Sequence, residues 1–160
     1  FDNLTVEDVE MMGFDQGRKE TLKIVYLMTI PARTVSYIFT TYADTLGAHG
    51  NTFFKTFTFD TRTGVPLSLD DIFLPNTNYL DRLSSLSREK LPAVIGEYAD
   101  TNFIKNGTTP VKENFQNFFL EGNNFAVLFD PYAVAPYAAG PQTLRIPLSE
   151  LSSILKPEYQ

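Results

Sequence analysis

The single histidine of the chain, His49, lies in Gly47-Ala48-His49-Gly50, so a histidine-dependent general base, metal ligand or triad would have to use it. Asp44 or Asp60 could join it around a metal. Against that, a lone imidazole in a tight glycine turn more often hydrogen-bonds neighbouring backbone and fixes the loop. One histidine with no second ligand at metal spacing is also a weak zinc signal, and neither a metal nor a cofactor is expected. Serine is plentiful, yet no Gly-x-Ser-x-Gly elbow occurs. Ser84, Ser85 and Ser87 fall in a helical stretch and are read as its solvated face. The carboxylate pairs Asp70-Asp71 and Glu7-Asp8 are adjacent, whereas paired acid and base catalysis needs opposed groups across a cleft. Asp70 is instead expected to cap the turn leading to Phe73. No Walker or Rossmann glycine loop is present, because the glycines are scattered singly. Asn106-Gly107-Thr108 has the form of a glycosylation sequon, a pattern common by chance.

A second stretch stands out because its composition is costly to order. Asp130 to Pro141 holds three prolines, two tyrosines and four alanines in twelve residues. The prolines stiffen the backbone, the alanines offer little to pack, and Tyr132 and Tyr137 supply rigid amphipathic contact area of the kind used for recognition. The competing reading is that both tyrosines tuck into the core and tie down an irregular crossover through their hydroxyls. Tyr132, Tyr137, Asp130, His49 and Asn51 make up the candidate binding set.

These residues need a scaffold, and composition bounds it. A chain of 160 residues can bury a real core, and a single compact domain is expected, with a strand-rich half over 1–66 and a helix-plus-hairpin half over 67–160. Fourteen Phe and eight Tyr favour sheets. A net charge of −6 and a pI near 4.7 disfavour nucleic acid, whose phosphates call for a basic footprint. The same charge would steer in a cationic partner. With no cysteine, neither disulfides nor thiol chemistry is available, and no apolar run approaches the length of a membrane helix. Phe1 runs straight into Asp2-Asn3 without a start methionine or a signal peptide, so the chain is expected to be a piece of a longer protein.

Alternation of apolar and polar residues predicts strands over 22–30, 35–42 and 51–60, with Gly64 turning the chain into a short return segment whose Pro66 confines it to an edge. From an Asn76 or Asn78 cap, Tyr79, Leu80, Leu83, Leu86, Val94, Ile95 and Tyr98 recur at helical spacing. Pro92 should kink or split that helix. Residues 100–114 read as a loop. Phe118–Leu120 and Phe125–Phe129 flank Glu121-Gly122-Asn123-Asn124 as a hairpin, Leu144, Ile146 and Leu148 alternate again, and Ser149 could cap a short helix reaching Leu155. The predicted class is α+β: an antiparallel meander and hairpin strands packed on one long helix, with a short C-terminal helix.

Several of these segments together resemble one family, the paired domains of unknown function found in the anti-sigma factor RsiV, in PdaC-type peptidoglycan deacetylases and in a secreted mycobacterial immunogenic protein. The resemblance is carried by the Gly47–Gly50 turn, the Phe57–Gly64 strand ending in Asp60-x-x-Thr63-Gly64, and Leu67–Phe73. It continues through Tyr79-Leu80, Phe115–Phe119, and Pro131-Tyr132 with Pro136–Gly140. At Thr45-Leu46-Gly47 the chain departs from the family, which more often has a second glycine there. The resemblance implies an extracytoplasmic domain, secreted, periplasmic or anchored through a missing segment, and the lack of a catalytic signature among the residues above leads to the expectation that it has no catalysis of its own. Its implied role is to sense or inhibit a cationic wall hydrolase such as lysozyme; the alternative is an accessory module that binds glycan or peptidoglycan beside a deacetylase.

Overall fold

The computed structural model describes residues 5–14, 16–31, 33–46 and 49–160. Phe1–Asn3 and two residues of the glycine turn, Gly47 and Ala48, lie outside them. A short helix α1 (Val6–Met12), capped by a Thr5/Asp8 box, leads into β1 (Thr21–Thr29), β2 (Thr34–Asp44) and β3 (Asn51–Asp60). These pair antiparallel in sequence order, and β4 (Pro66–Leu67) adds two residues to the outer edge of β3. The short helix α2 (Leu69–Ile72) and the long helix α3 (Tyr79–Ile95) follow, then α4 (Thr101–Gly107). A second antiparallel sheet contains β5 (Phe118–Glu121), β6 (Asn124–Phe129) and β7 (Gln142–Pro147), again in sequence order. The α+β class and the strand sequence are as the alternation predicts.

The second sheet lies between the first sheet and α3, and its period of two divides its residues between two cores. Phe118, Leu120, Phe125, Val127 and Phe129 face the main core, with Leu144 and Ile146 from β7 and Leu83, Leu86 and Leu91 from α3. Phe119, Ala126 and Leu128 face the other way, onto Ile38 of β2. The meander therefore packs on the hairpin sheet, and the hairpin sheet packs on the helix. A sequence of alternating residues cannot name which layer each face will meet.

Several local expectations change. Ser84 and Ser87 are buried on α3, not solvated, and Ser87 Oγ donates 2.7 Å back to the Leu83 carbonyl. Small side chains let the helix approach the sheet closely, and this bond satisfies the hydroxyl. Val94 and Tyr98 of the expected apolar stripe are exposed. Pro92 leaves α3 unbroken through Ile95; it sits on the exposed side, where the carbonyl it fails to pair can face water. The predicted loop at 100–114 contains α4, whose cap Asp100 accepts from the Asn102 and Phe103 amides. Apart from Lys105 its sequence lacks strong helix formers, and it buries only Ile104, so periodicity had little to report. At the C-terminus, single 3-10 turns at Leu148–Glu150 and Pro157–Tyr159 replace the expected short helix. Phe73 and Leu155 form a β-bridge that draws this segment across instead.

Beyond β4, the outer edge of β3 is closed by side chains. Asn117 accepts from the Thr56 amide at 3.3 Å and donates to the Phe54 carbonyl at 3.1 Å. Thr58 and Thr29 donate to the Phe118 and Leu120 carbonyls, joining the sheets again. Below them Asp60 is nearly buried; burial alone would raise its carboxyl, but Arg33 at 2.8 Å and the Arg62 and Thr63 amides hold it well below the usual carboxylate range. Asn117→Ala should cost about 1–3 kcal/mol, because it strands two backbone groups between the sheets; urea unfolding at unchanged m-value would measure this, and a loss near zero would mean water replaces the amide.

Candidate functional site

The candidate binding residues converge at the end of the first sheet where β2 leaves and β3 begins. Tyr42 near the end of β2 lies so close to the chain at Gly50 that a β-carbon there would sit 2.3 Å from the tyrosine oxygen. Only glycine fits. The freed backbone then serves as an anchor: the Gly50 carbonyl accepts from the Tyr137 hydroxyl at 3.1 Å, and His49 Nδ1 lies 3.0 Å from the same oxygen. Asn51 follows directly, opening β3 opposite Ala43 with its side chain exposed.

Across from this turn, the proline-rich segment is held at its start. Asp130 Oδ1 accepts from the Phe54 amide at 2.9 Å, continuing the side-chain closure of the β3 edge begun by Asn117. The Ala133 amide then bonds the Asp130 carbonyl at 3.0 Å around Pro131-Tyr132. Proline at the second position and a positive φ of 69° at Tyr132 match a type II turn, which favours glycine where this chain has tyrosine. A left-handed tyrosine costs about 1–2 kcal/mol, and it turns a large ring outward: Tyr132 is 55% exposed. Gly107 at the end of α4 supports the loop from beneath, since a β-carbon there would meet the Ala133 carbonyl at 1.9 Å.

The result is a stack of three rings. His49 and Tyr137 lie with centroids 4.5 Å apart and planes 28° from parallel, and Tyr132 continues at 5.3 Å and 31° from Tyr137. Spacing alone gave no sign that the histidine turn and the tyrosine loop, about 85 residues apart, share one surface. Neither reading of the tyrosines holds alone, since Tyr137 ties the crossover through its hydroxyl while both rings remain open to solvent.

The other expected chemistry is dispersed. Asp44 accepts the Leu46 amide within its own turn, and Asp60 ends β3 at the opposite end from His49, so among the described residues they do not gather into a set of metal ligands. Asp71, rather than Asp70, makes the capping box with Ser68; Asp70 instead accepts from Tyr79 Oη at 2.6 Å and pairs with Lys112. Ser87 precedes Lys90 at the spacing of a serine–lysine pair, yet Lys90 Nζ is bound 2.9 Å from Glu150 and Ser87 Oγ to its own helix.

Burial raises the Asp130 carboxyl, and the Phe54 amide only partly offsets this. A carboxyl with a folded pKa above its unfolded value favours the fold most below the unfolded pKa, and that benefit fades as pH rises through the folded value. Asp130→Asn keeps an oxygen for Phe54 and removes the charge. It should therefore melt at or above the wild-type temperature at pH 7, with the gap closing as pH falls through the ordinary Asp range; a lower melting point at pH 7 would show that the charge itself is needed.

Residues 70–149, half of the chain, match the family described as a protein of unknown function (DUF3298). Over 143 residues the chain is 36% identical to the peptidoglycan-N-acetylmuramic acid deacetylase PdaC of Bacillus subtilis, covering 89% of this chain and 31% of that protein. It is 28% identical over 132 residues to the immunogenic protein MPT64 of Mycobacterium tuberculosis, with 81% and 56% covered. Esterase Rv3036c of the same organism is 25% identical over 121 residues, with 76% and 52% covered. The chain thus spans about a third to a little over half of these relatives. A solved DUF3298 structure from Pseudomonas aeruginosa, PA4972, shares the fold at a TM-score of 0.67 and 21% identity, covering 97% of this chain and 71% of that one. The resemblance seen in the sequence is borne out for PdaC and the mycobacterial immunogenic protein, and the chain belongs to the DUF3298 family.

Proposed function

We propose that this chain is a non-catalytic, extracytoplasmic module that holds cell-wall glycan against the His49–Tyr137–Tyr132 stack. The observation that carries the reading is the stack itself: solvent-exposed rings, with Tyr132 and His49 at its two ends, on a backbone fixed by Gly50, Asp130 and Gly107. A pyranose ring presents a face of weakly positive C–H groups that suits the negative face of an aromatic ring, and preorganised rings lose little entropy on binding. Asp130, the carboxylate that opens the tyrosine segment, accepts the Phe54 amide and so is engaged with the fold instead of free to meet a cationic partner. Relatedness to a protein named for deacetylating peptidoglycan supports a glycan partner and a location outside the cytoplasm; among the described residues no helix is long and apolar enough to cross a membrane.

Binding rather than turnover is favoured by the surroundings of His49, whose one hydrogen-bond partner among the described residues is the Gly50 carbonyl, with no nucleophilic side chain bonded to its ring. Among the described residues no three His, Cys, Asp or Glu side chains gather as metal ligands. A second reading, capture of a cationic wall hydrolase such as lysozyme, draws support from the net charge of −6.

Calorimetric titration with chitooligosaccharide, and with a basic lysozyme at low and physiological salt, separates the two. Saturable heat from the sugar is expected, abolished in Tyr132→Gly, a variant that relieves the left-handed strain and should melt no lower than wild type. Lysozyme heat is expected to fade with salt as exposed charges are screened. Lysozyme binding that survives physiological salt, with no response to sugar, would establish the sensor reading instead. Hydrolysis of wall glycan or of an ester probe that disappears in His49→Ala would overturn the non-catalytic assignment.

A further inference from the structure

The strand β1 is exposed along almost its whole length, on both faces and at its edge. Leu22 is 67% exposed, Tyr26 62% and Leu27 70%, and Ile24, Met28 and Ile30 are similarly open. Soluble proteins guard such edges with charges, prolines or bulges, because unpaired backbone groups recruit another strand. Within β1 only Lys23 is charged, and among the described residues no strand pairs with its outer side.

The phase of the sheet shows which backbone groups are free. Phe54 and Thr56 turn theirs outward from β3, so the odd residues of β3 bond β2. The even residues of β2 then bond β1 through its odd residues, and the Thr34 amide donating to the Pro31 carbonyl continues that phase. Leu22, Ile24, Tyr26 and Met28 therefore direct their N–H and C=O groups away from the sheet.

We propose that two copies of this chain pair through β1, antiparallel about a two-fold axis at Val25, to form a continuous eight-stranded sheet. In this register Ile24 meets Tyr26 and Leu22 meets Met28 of the second copy, which places the free even residues opposite one another as hydrogen-bonded pairs. Lys23 falls opposite Leu27, so no like charges meet. The same faces continue across the axis, joining the aromatic layer built by Tyr26, Phe39 and Phe57 to its counterpart. Edge pairing takes part of the apolar surface of β1 out of water together with the free backbone groups, and leaves both faces of the joined sheet open.

Sedimentation velocity of the 160-residue chain, up to about 100 μM, is the test, a range that reveals a dimer of micromolar affinity. A dimer is expected. Val25→Lys and Val25→Glu each put like charges face to face at the axis and should be monomeric, while an equimolar mixture of the two should recover the dimer. Val94→Lys, the same charge change on the exposed side of α3, should leave it intact. A wild-type chain that stays monomeric throughout, or a dimer that persists in both Val25 variants, would overturn the proposal.

Discussion

The outer edge of β3 is the constraint on which the rest of this molecule depends. Phe54 and Thr56 turn backbone groups away from β2 at a place where β4 is too short to meet them. Left bare inside the protein, each would carry a desolvation penalty of about 1–3 kcal/mol. Two side chains stand in for the missing strand, and each holds a different part of the structure. Asn117 fixes the entry to β5 and so the second sheet; Asp130 fixes the start of the tyrosine segment and so the aromatic stack. Architecture and candidate site are thus consequences of one edge being closed by side chains.

The second sheet follows from the same arrangement. With β5 held beneath the meander, its residues alternate between two apolar environments, Phe118 and Leu120 toward α3 and Phe119 toward Ile38. A three-layer order results in which the middle sheet is buried on both faces and the outer sheet keeps one aromatic face open. At the edge of the outer sheet β1 meets the second sheet at Thr29, and most of its apolar side chains stay in contact with water.

Local strain is concentrated at the site. Tyr132 occupies a conformation better suited to glycine, Gly50 leaves room for Tyr42, and Gly107 lets α4 meet the loop backbone. The cost of the left-handed tyrosine is sustained because proline, the Asp130 bond and the Tyr137 hydroxyl determine the loop more than sufficiently. Such a loop presents rings with little freedom left to lose on binding.

The sequence by itself determined the strands, the long helix and the α+β class, because alternation and helical spacing record which side of an element meets apolar surroundings, and that is a local property of the chain. It also marked His49 and the Asp130–Gly140 segment as unusual, through a lone imidazole and a composition that ordering must justify. The choice of Asp71 over Asp70 as the capping partner was legible too, in the Ser68-x-x-Asp71 spacing of a capping box. Only the tertiary structure decided that the two unusual segments face each other across Gly50 and that Ser84 and Ser87 are buried. Both outcomes rest on packing against residues distant in the chain, and pattern is blind to that, since a hydrogen bond from the Phe54 amide to Asp130 leaves no periodicity in either segment.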